Sequence, residues 1–143
     1  MKKIFVDTGA WYALKNKNDP DHATVFSFFE KLPVAGIVCY TSDYVIDESI
    51  TLVKTRLKNH LVATTLAEEL LSEKAARLIY VAPRYLPRAL EIYKKYSDQQ
   101  FSFTDCTSFA IMESLNIVEA LAFDRHFSFE AFGFRQHVKG TGV

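Results

Sequence analysis

Carboxylates that follow apolar runs are the residues of this chain whose type and position best suit chemistry. Asp7 follows Ile4–Val6, and Asp124 follows Ile117–Phe123. Each run is short and mostly apolar, which predicts a buried strand with an acid at its carboxyl end. Ligands of open parallel sheets bind outside these strand ends. We therefore expect the two acids at one edge of a sheet.

Helical spacing adds two further acids. In the helix predicted over residues 43–57, Glu48 shares a stripe with a tyrosine and a leucine four positions to either side, so we expect it to point further inward than Asp47. Asp105 lies in the first turn of another predicted helix, in line with apolar residues. Helix capping alone is an alternative explanation for Asp7 and Asp105.

Four carboxylates at one edge of a sheet need a compensating charge. Two unit charges about 4 Å apart repel by ~4 kcal/mol at an effective dielectric constant of about 20. Mg²⁺ and Mn²⁺ prefer oxygen ligands and would offset this repulsion. The four histidines form no HxxxH or HExxH pattern, so we expect no histidine-based zinc site.

The phosphate-binding motifs of nucleotide enzymes are missing from the sequence. It contains neither a Walker loop nor a GxGxxG sequence. An acidic metal site without them favours metal-assisted phosphodiester hydrolysis. One ion would lower the pKa of a bound water, and a second, ~3.5–4 Å away, would neutralise charge on the leaving oxygen.

The alternation of apolar runs and helical segments predicts the elements that hold these acids. Their order is β, α, α, β, α, α, β, α, α, β. We expect an α/β fold, a three-layer α/β/α sandwich with a central, mostly parallel sheet. Residues 1–143 are expected to form one domain, with 139–143 fraying. The predicted strands are Ile4–Val6, Ile37–Tyr40, Leu78–Val81 and Ile117–Phe123, with Phe134–Val138 as a last edge strand.

Composition narrows the class of protein. Hydrophobic residues make up 49% and charged residues 24% of the 143, which excludes disordered and fibrous classes. Seventeen basic and seventeen acidic residues cancel, so nucleic-acid binding requires a local cationic surface. Cys39 and Cys106 form no CxxC pair and are expected to be buried thiols. The first apolar run is too short for a signal peptide or a membrane span, so we expect a cytoplasmic location without membrane contact.

Four stretches resemble the acidic motifs of PIN domains, particularly those of VapC-like toxin nucleases. They are Phe5–Thr8, Asp47–Ser49, Phe101–Cys106 and Ala122–Phe127. The resemblance runs from Ile4 to about Val138. It implies a Mg²⁺- or Mn²⁺-dependent endoribonuclease in which water attacks the phosphodiester and leaves a 5′-phosphate. The catalytic and metal-binding residues would be Asp7, Glu48, Asp105 and Asp124.

The same resemblance implies supporting residues and partners. Thr8 and Thr104 match small hydroxyl positions that support the acids, whereas Gly9 departs from the Ser or Asn that relatives often carry. It also implies an antitoxin protein that covers the active-site groove, and a homodimer.

Candidate RNA contacts are few. Arg125 is favoured because it adjoins Asp124, whereas most other basic clusters are expected to be solvated faces. Arg125 could reach the scissile phosphate, whereas His126 could pack against Phe127. Trp11 and Tyr12 could stack a base or belong to the core, and the phenylalanines of residues 127–134 suggest a partly exposed interface.

Three alternatives to a toxin nuclease remain open. An aspartyl phosphotransferase could use Asp7 as a nucleophile, although Gly9 stands where the second acid of a DxD pair is expected. A free-standing PIN nuclease would lack an antitoxin. A non-catalytic PIN module would only bind RNA or protein.

Overall fold

A five-stranded sheet forms the centre of the fold. The computed structural model describes residues 1–137, and all strand pairs in this range are parallel, in the order β3-β2-β1-β4-β5. The strands are β1 (Lys2–Val6), β2 (Ile37–Ser42), β3 (Arg77–Ile79), β4 (Glu119–Leu121) and β5 (Arg135–Gln136). The flanking helices are α1 (Thr8–Lys15), α2 (His22–Lys31), α3 (Asp43–Leu57), α4 (His60–Leu71), α5 (Leu86–Lys95) and α6 (Phe103–Leu115).

The central strands are buried on both faces. Ile4, Phe5 and Val6 of β1 have no exposed surface, and neither do Ala120 and Leu121 of β4. Side chains of a strand alternate between the two faces, so an unbroken buried run requires cover on both. This confirms the predicted α/β/α sandwich, and its sheet is parallel throughout the described residues.

Strand order creates a crevice beside β1. The chain moves outward from β1 to β2 and β3, then returns through α5 and α6 to place β4 on the other side of β1. Such a reversal of strand order opens a crevice at the carboxyl ends of the two central strands. Asp7 lies at this point, and its backbone N–H donates to the Leu121 carbonyl at 3.1 Å.

Helix α3 and helix α6 begin at side-chain caps near this crevice. The Ser42 hydroxyl accepts from the Val45 N–H at 3.1 Å. At α6, Ser102 and Asp105 form a reciprocal capping box, which satisfies two otherwise unpaired backbone donors. Helix α3 packs against α1, α4 and α6, and therefore stands beside the crevice.

Strands β3, β4 and β5 are shorter than the sequence predicts. The run Leu78–Val81 pairs only to Ile79, because the Val81 N–H donates to the Asp43 carboxylate at 2.9 Å and so leaves the ladder. Ile117 donates to the end of α6 instead of a strand, and pairing begins at Glu119. The predicted last strand forms as β5, whereas Val138 and residues 139–143 lie outside the described residues.

The aromatic residues near the carboxyl terminus are largely core. Phe127 and Phe134 are buried, and both contact the ring of Phe109. Phe129 and Phe132 are half-buried against the same cluster. A partly exposed interface at these residues stays a prediction, because two of the four rings are buried and the other two retain partial exposure.

Three other expectations concern the core and membranes. Trp11 is 1% exposed, stacks on Phe29, and donates from Nε1 to the Thr41 hydroxyl at 3.2 Å, so it is a core residue. Cys39 and Cys106 are free, buried thiols as expected. None of the helices within residues 1–137 is both long and apolar enough to cross a membrane.

Candidate active site

The structure brings the four predicted acids to one end of the sheet. Asp7 directly precedes α1, Glu48 lies on α3, Asp105 lies in the first turn of α6, and Asp124 follows β4. The charges of Asp105, Glu48 and Asp124 all act on the Asp7 carboxyl. The acids therefore form one electrostatic group rather than four separate caps.

Asp7 is buried beside other acids and has a raised pKa. It is 7% exposed, and burial together with the Asp105 charge raises its pKa to about 8. The Thr8 backbone N–H opposes this rise in pKa, while Glu48 and Asp124 add to it. Although Asp7 occupies the N-cap position of α1, its side chain makes no capping hydrogen bond, so capping does not explain its burial.

Asp105 combines a structural contact with membership of the acidic group. Its Oδ2 accepts from the Ser102 N–H at 3.0 Å and lies 3.1 Å from His126 Nδ1. Burial raises the pKa of Asp105, and the neighbouring Asp124 adds to the rise. The Ser102 N–H and His126 both act to lower this pKa. The capping explanation is thus correct for Asp105 but incomplete.

The structure adds His126 to the site, and the sequence analysis did not predict it as a site residue. Its Nδ1 lies 3.1 Å from both Asp105 Oδ2 and Asp124 Oδ1. One ligand atom from each of these three residues lies within 4.8 Å of the others. Its ring packs edge-on against Phe101. The absence of an HxxxH pattern therefore gave no information about histidine at this site, because the contact joins distant segments.

A local turn fixes Asp124 relative to His126. Asp124 caps the short 3-10 helix Arg125–Ser128, and its Oδ1 accepts from the His126 N–H at 2.9 Å. This bond accounts for the conformation of the Asp-Arg-His sequence without any ligand. His126 also lies within the stretch Ala122–Phe127 that resembles a PIN motif.

Glu48 lies at the surface of α3. Glu48 and Asp47 are both exposed, so burial does not distinguish the two side chains. This face of α3 opens on a cavity of about 610 Å³ rather than on the core. Glu48 nevertheless faces the site, since its Oε1 accepts from the Thr8 hydroxyl at 2.5 Å.

The remaining predicted residues surround the acids without bonding to them. Thr104 lines the cavity with Glu48, but within residues 1–137 its hydroxyl makes no hydrogen bond to an acid. Arg125 is exposed and lines a second cavity, of about 500 Å³, together with His126. A Cβ at Gly9 would lie 3.9 Å from Phe123, an ordinary contact, so the glycine is not sterically required.

The donor set fits a divalent cation. Carboxylate oxygens suit Mg²⁺ and Mn²⁺, and an imidazole nitrogen extends the set toward transition metals. Asp105, Asp124 and His126 could hold such an ion directly, and the carboxylates of Asp7 and Glu48 belong to the same electrostatic group. A cation there would offset the repulsion that raises the pKa of Asp7.

Known proteins are similar to this chain over most of its length. A family model described as PIN domain matches residues 4–132. The curated "23S rRNA-specific endonuclease VapC20" of Mycobacterium tuberculosis is 36% identical over 129 residues, which span 90% of this chain and 95% of that protein.

Solved structures agree with the sequence comparison. The crystal structure of Mycobacterium tuberculosis VapC20, described as a "Sarcin-Ricin loop cleaving toxin", superposes with a TM-score of 0.78 and 32% identity over 92% of this chain and 96% of that one. The FitAcB structure from Neisseria gonorrhoeae has a TM-score of 0.64 at 18% identity, over 94% and 99% of the two chains, and supports the fold alone. The family match, the related sequence and the fold agree, and the chain belongs to the PIN domain family.

Proposed function

We propose that this chain is a divalent-metal-dependent endoribonuclease that acts as the toxin of a toxin–antitoxin pair. The observation that carries the proposal is the group of four acids, with His126, at the crevice beside β1. Its support is the relationship to a named RNA endonuclease, which is 36% identical and of nearly the same length. The presence of all four acids at one end of the sheet disfavours a non-catalytic module.

The residues of the site have separable roles in this proposal. Asp105, Asp124 and Asp7 form the metal-binding face, with Glu48 completing it from α3. The Thr8 hydroxyl orients Glu48 by donating to it. The Ser102 N–H orients Asp105, and the His126 N–H orients Asp124. Three of the four acids thus accept a hydrogen bond that orients the carboxylate.

Mg²⁺ or Mn²⁺ is the proposed cofactor. When bound, such an ion lowers the pKa of water and stabilises negative charge on the phosphate. The chain's own acids hold the ion and accept the proton of the attacking water. Arg125 is proposed to contact the substrate phosphate, because its guanidinium forms no ion pair with any residue in the described part of the chain.

The proposed substrate is ribosomal RNA. The relative named for 23S rRNA covers most of this chain, and its structure is described as cleaving the sarcin–ricin loop. We extend this substrate class to the present chain. The proposal includes a single catalytic domain over residues 1–143, a cytoplasmic location, a homodimer and an inhibitory antitoxin protein.

Cleavage in the presence and absence of chelator tests the proposal. Purified protein should cut ribosomal RNA with Mg²⁺ or Mn²⁺ and stop cutting in EDTA. Sequencing of the products should show 5′-phosphate ends. Cleavage that persists in EDTA and leaves cyclic phosphates would instead indicate histidine-based chemistry and refute the proposal. A phosphorylated Asp7 would favour the phosphotransferase.

A further inference from the structure

Two cavities flank the acidic group, and their charges differ. The cavity beside α3 is lined by Asp43, Asp47 and Glu48, and no cation within residues 1–137 lines it. The cavity on the opposite side contains Arg125 and His126 together with the amides of Gln99 and Gln100. An RNA phosphate is repelled by the first lining and is attracted by the Arg125 guanidinium in the second.

The second cavity has the size and lining of a small-ligand site. Its volume is about 500 Å³, within the ~300–1,000 Å³ range of such pockets. Buried Phe101 and half-buried Phe129 form an apolar wall. Gln99 and Gln100 supply both donors and acceptors. Unpaired bases are recognised in this way, by an apolar surface and by polar groups at the base edge.

Two exposed carboxylates at the margin of this cavity limit what it can bind. Asp98 and Glu130 also line it, and they disfavour a row of phosphates there. They can accept hydrogen bonds from base amino groups, as carboxylates do from cytosine N4. The lining therefore suits one base and one phosphate better than a stretch of backbone.

A third cavity continues the surface away from the metal-binding group. It measures about 470 Å³ and shares Gln99, Gln100 and Phe101 with the second. Its other side carries Lys94 and Tyr93, and the Tyr93 side chain is 49% exposed. Within residues 1–137 the Lys94 ammonium has no ion pair. A cation thus lies at each end of the shared Gln99–Phe101 wall.

We propose that these two cavities form the RNA-binding track of the enzyme. One unpaired nucleotide beside the scissile phosphate occupies the Gln99–Arg125 cavity, and the RNA continues toward Lys94. The proposal rests on the proposed ribonuclease function. It specifies on which side of the acidic group the RNA strand lies. Gln99 and Gln100 contact the base, and Arg125 and Lys94 contact phosphates.

Charge-removal variants on the two sides of the site test the track. A fluorescein-labelled single-stranded RNA is titrated in EDTA, so that binding is measured without cleavage. Arg125→Gln and Lys94→Gln should each weaken binding about 5–10-fold at low salt and reduce the salt-dependence slope by about 1. Lys54→Gln, which removes the same charge from α3, is the matched control and should change affinity less than about 2-fold.

Cleavage-site sequencing provides the second measurement. Gln99→Ala should change the base preference at one position next to the cut, whereas Thr55→Ala in the α3 cavity should leave it unaltered. If Lys54→Gln weakens binding as much as the track variants do, or if Gln99→Ala keeps the wild-type preference, the track is wrong. Wild-type protein that cleaves no RNA would refute the proposed function, and the binding comparison would still decide the track.

Discussion

Two buried carboxylates at opposite ends of the sheet have opposite electrostatic surroundings. Asp7, after β1, and Glu119, at the start of β4, are each 7% exposed. Burial and neighbouring carboxylates raise the pKa of Asp7 to about 8. Burial also acts to raise the pKa of Glu119, but hydrogen bonds from His137, Arg135 and Lys2 outweigh it and lower the pKa to about 2.

The contrast separates a structural charge from a functional one. Glu119 receives Arg135 and His137 at 2.8 Å each and Lys2 at 3.1 Å, so its charge is compensated within the chain and fastens β5 to β4. Asp7 has no cationic partner among residues 1–137. An uncompensated buried acid beside other acids is typical of sites that bind a cation or carry out proton transfer.

Removal of Asp105 should produce the largest effect on activity. Asp105→Asn keeps an acceptor for the Ser102 N–H but removes a charged ligand. Loss of residues that merely support metal ligands costs ~10–100-fold, so loss of a ligand should reduce RNA cleavage by at least ~100-fold. Cleavage rates and circular dichroism are measured beside Glu68→Gln, an exposed control on α4. Equal rates for the two variants would remove Asp105 from the proposed active site.

Removal of the Glu119 charge should affect stability and leave chemistry intact. Glu119→Gln leaves Lys2, Arg135 and His137 without their carboxylate partner. Because Lys2 and Arg135 are 47% and 64% exposed and can be rehydrated, we expect a loss of about 1–3 kcal/mol in unfolding free energy. Urea denaturation measures this loss, and cleavage per folded molecule should not change.

The pH dependence of this loss follows from the pKa of Glu119. Its pKa falls from 4.5 in the unfolded chain to about 2 in the folded chain, so its stabilisation is fully present above pH 4.5 and disappears as the pH falls toward 2. The difference between wild type and Glu119→Gln should shrink over that interval. If the difference in unfolding free energy between the two proteins did not change with pH, the Glu119 charge would not be what stabilises β5.

The ionisation of Asp7 should change protein stability with pH in the opposite direction to that of Glu119. The pKa of Asp7 rises from 3.8 in the unfolded chain to about 8 in the folded chain, so the folded protein binds the additional proton and loses stability as the pH rises through this interval. In EDTA, Asp7→Asn should melt about 2–8 °C above wild type at pH 8. The two melting temperatures should converge near pH 4. A lower melting temperature for Asp7→Asn at pH 8 would contradict the assigned repulsion.

Among the variants at Asp105, Glu119, Asp7 and His126, the His126 variant should have the smallest effect. His126→Gln removes a candidate nitrogen ligand and should weaken Mn²⁺ binding ~10-fold. Mg²⁺ binding should weaken less, because imidazole suits transition metals better than Mg²⁺. Calorimetric titration measures both, with His60→Gln as the exposed control. Equal losses for the two ions would indicate that His126 only orients the acids.

Local signals explain which parts of this arrangement were predictable. Asp7 and Asp124 follow apolar runs, and Asp105 follows a serine cap, so short segments indicate their positions. The parallel sheet follows from the alternation of such runs with helices. Each of these patterns is complete within a few residues of the chain.

Long-range contacts explain what the sequence could not reveal. His126 reaches Asp105 only because the turn after β4 packs against the start of α6. Strand β3 ends early because Asp43, distant in sequence, takes the Val81 N–H. The cluster around Glu119 joins both ends of the described chain, and no local pattern indicates it.

Titration of EDTA-treated protein with Mn²⁺ tests the central claim most directly. Wild type and Glu119→Gln are compared with Asp105→Asn by calorimetry at a temperature where all three are folded. The account predicts saturable binding to the first two proteins and its loss in Asp105→Asn. Binding of Asp105→Asn with wild-type affinity, or no binding to wild type, would contradict a metal site at the acidic end of the sheet.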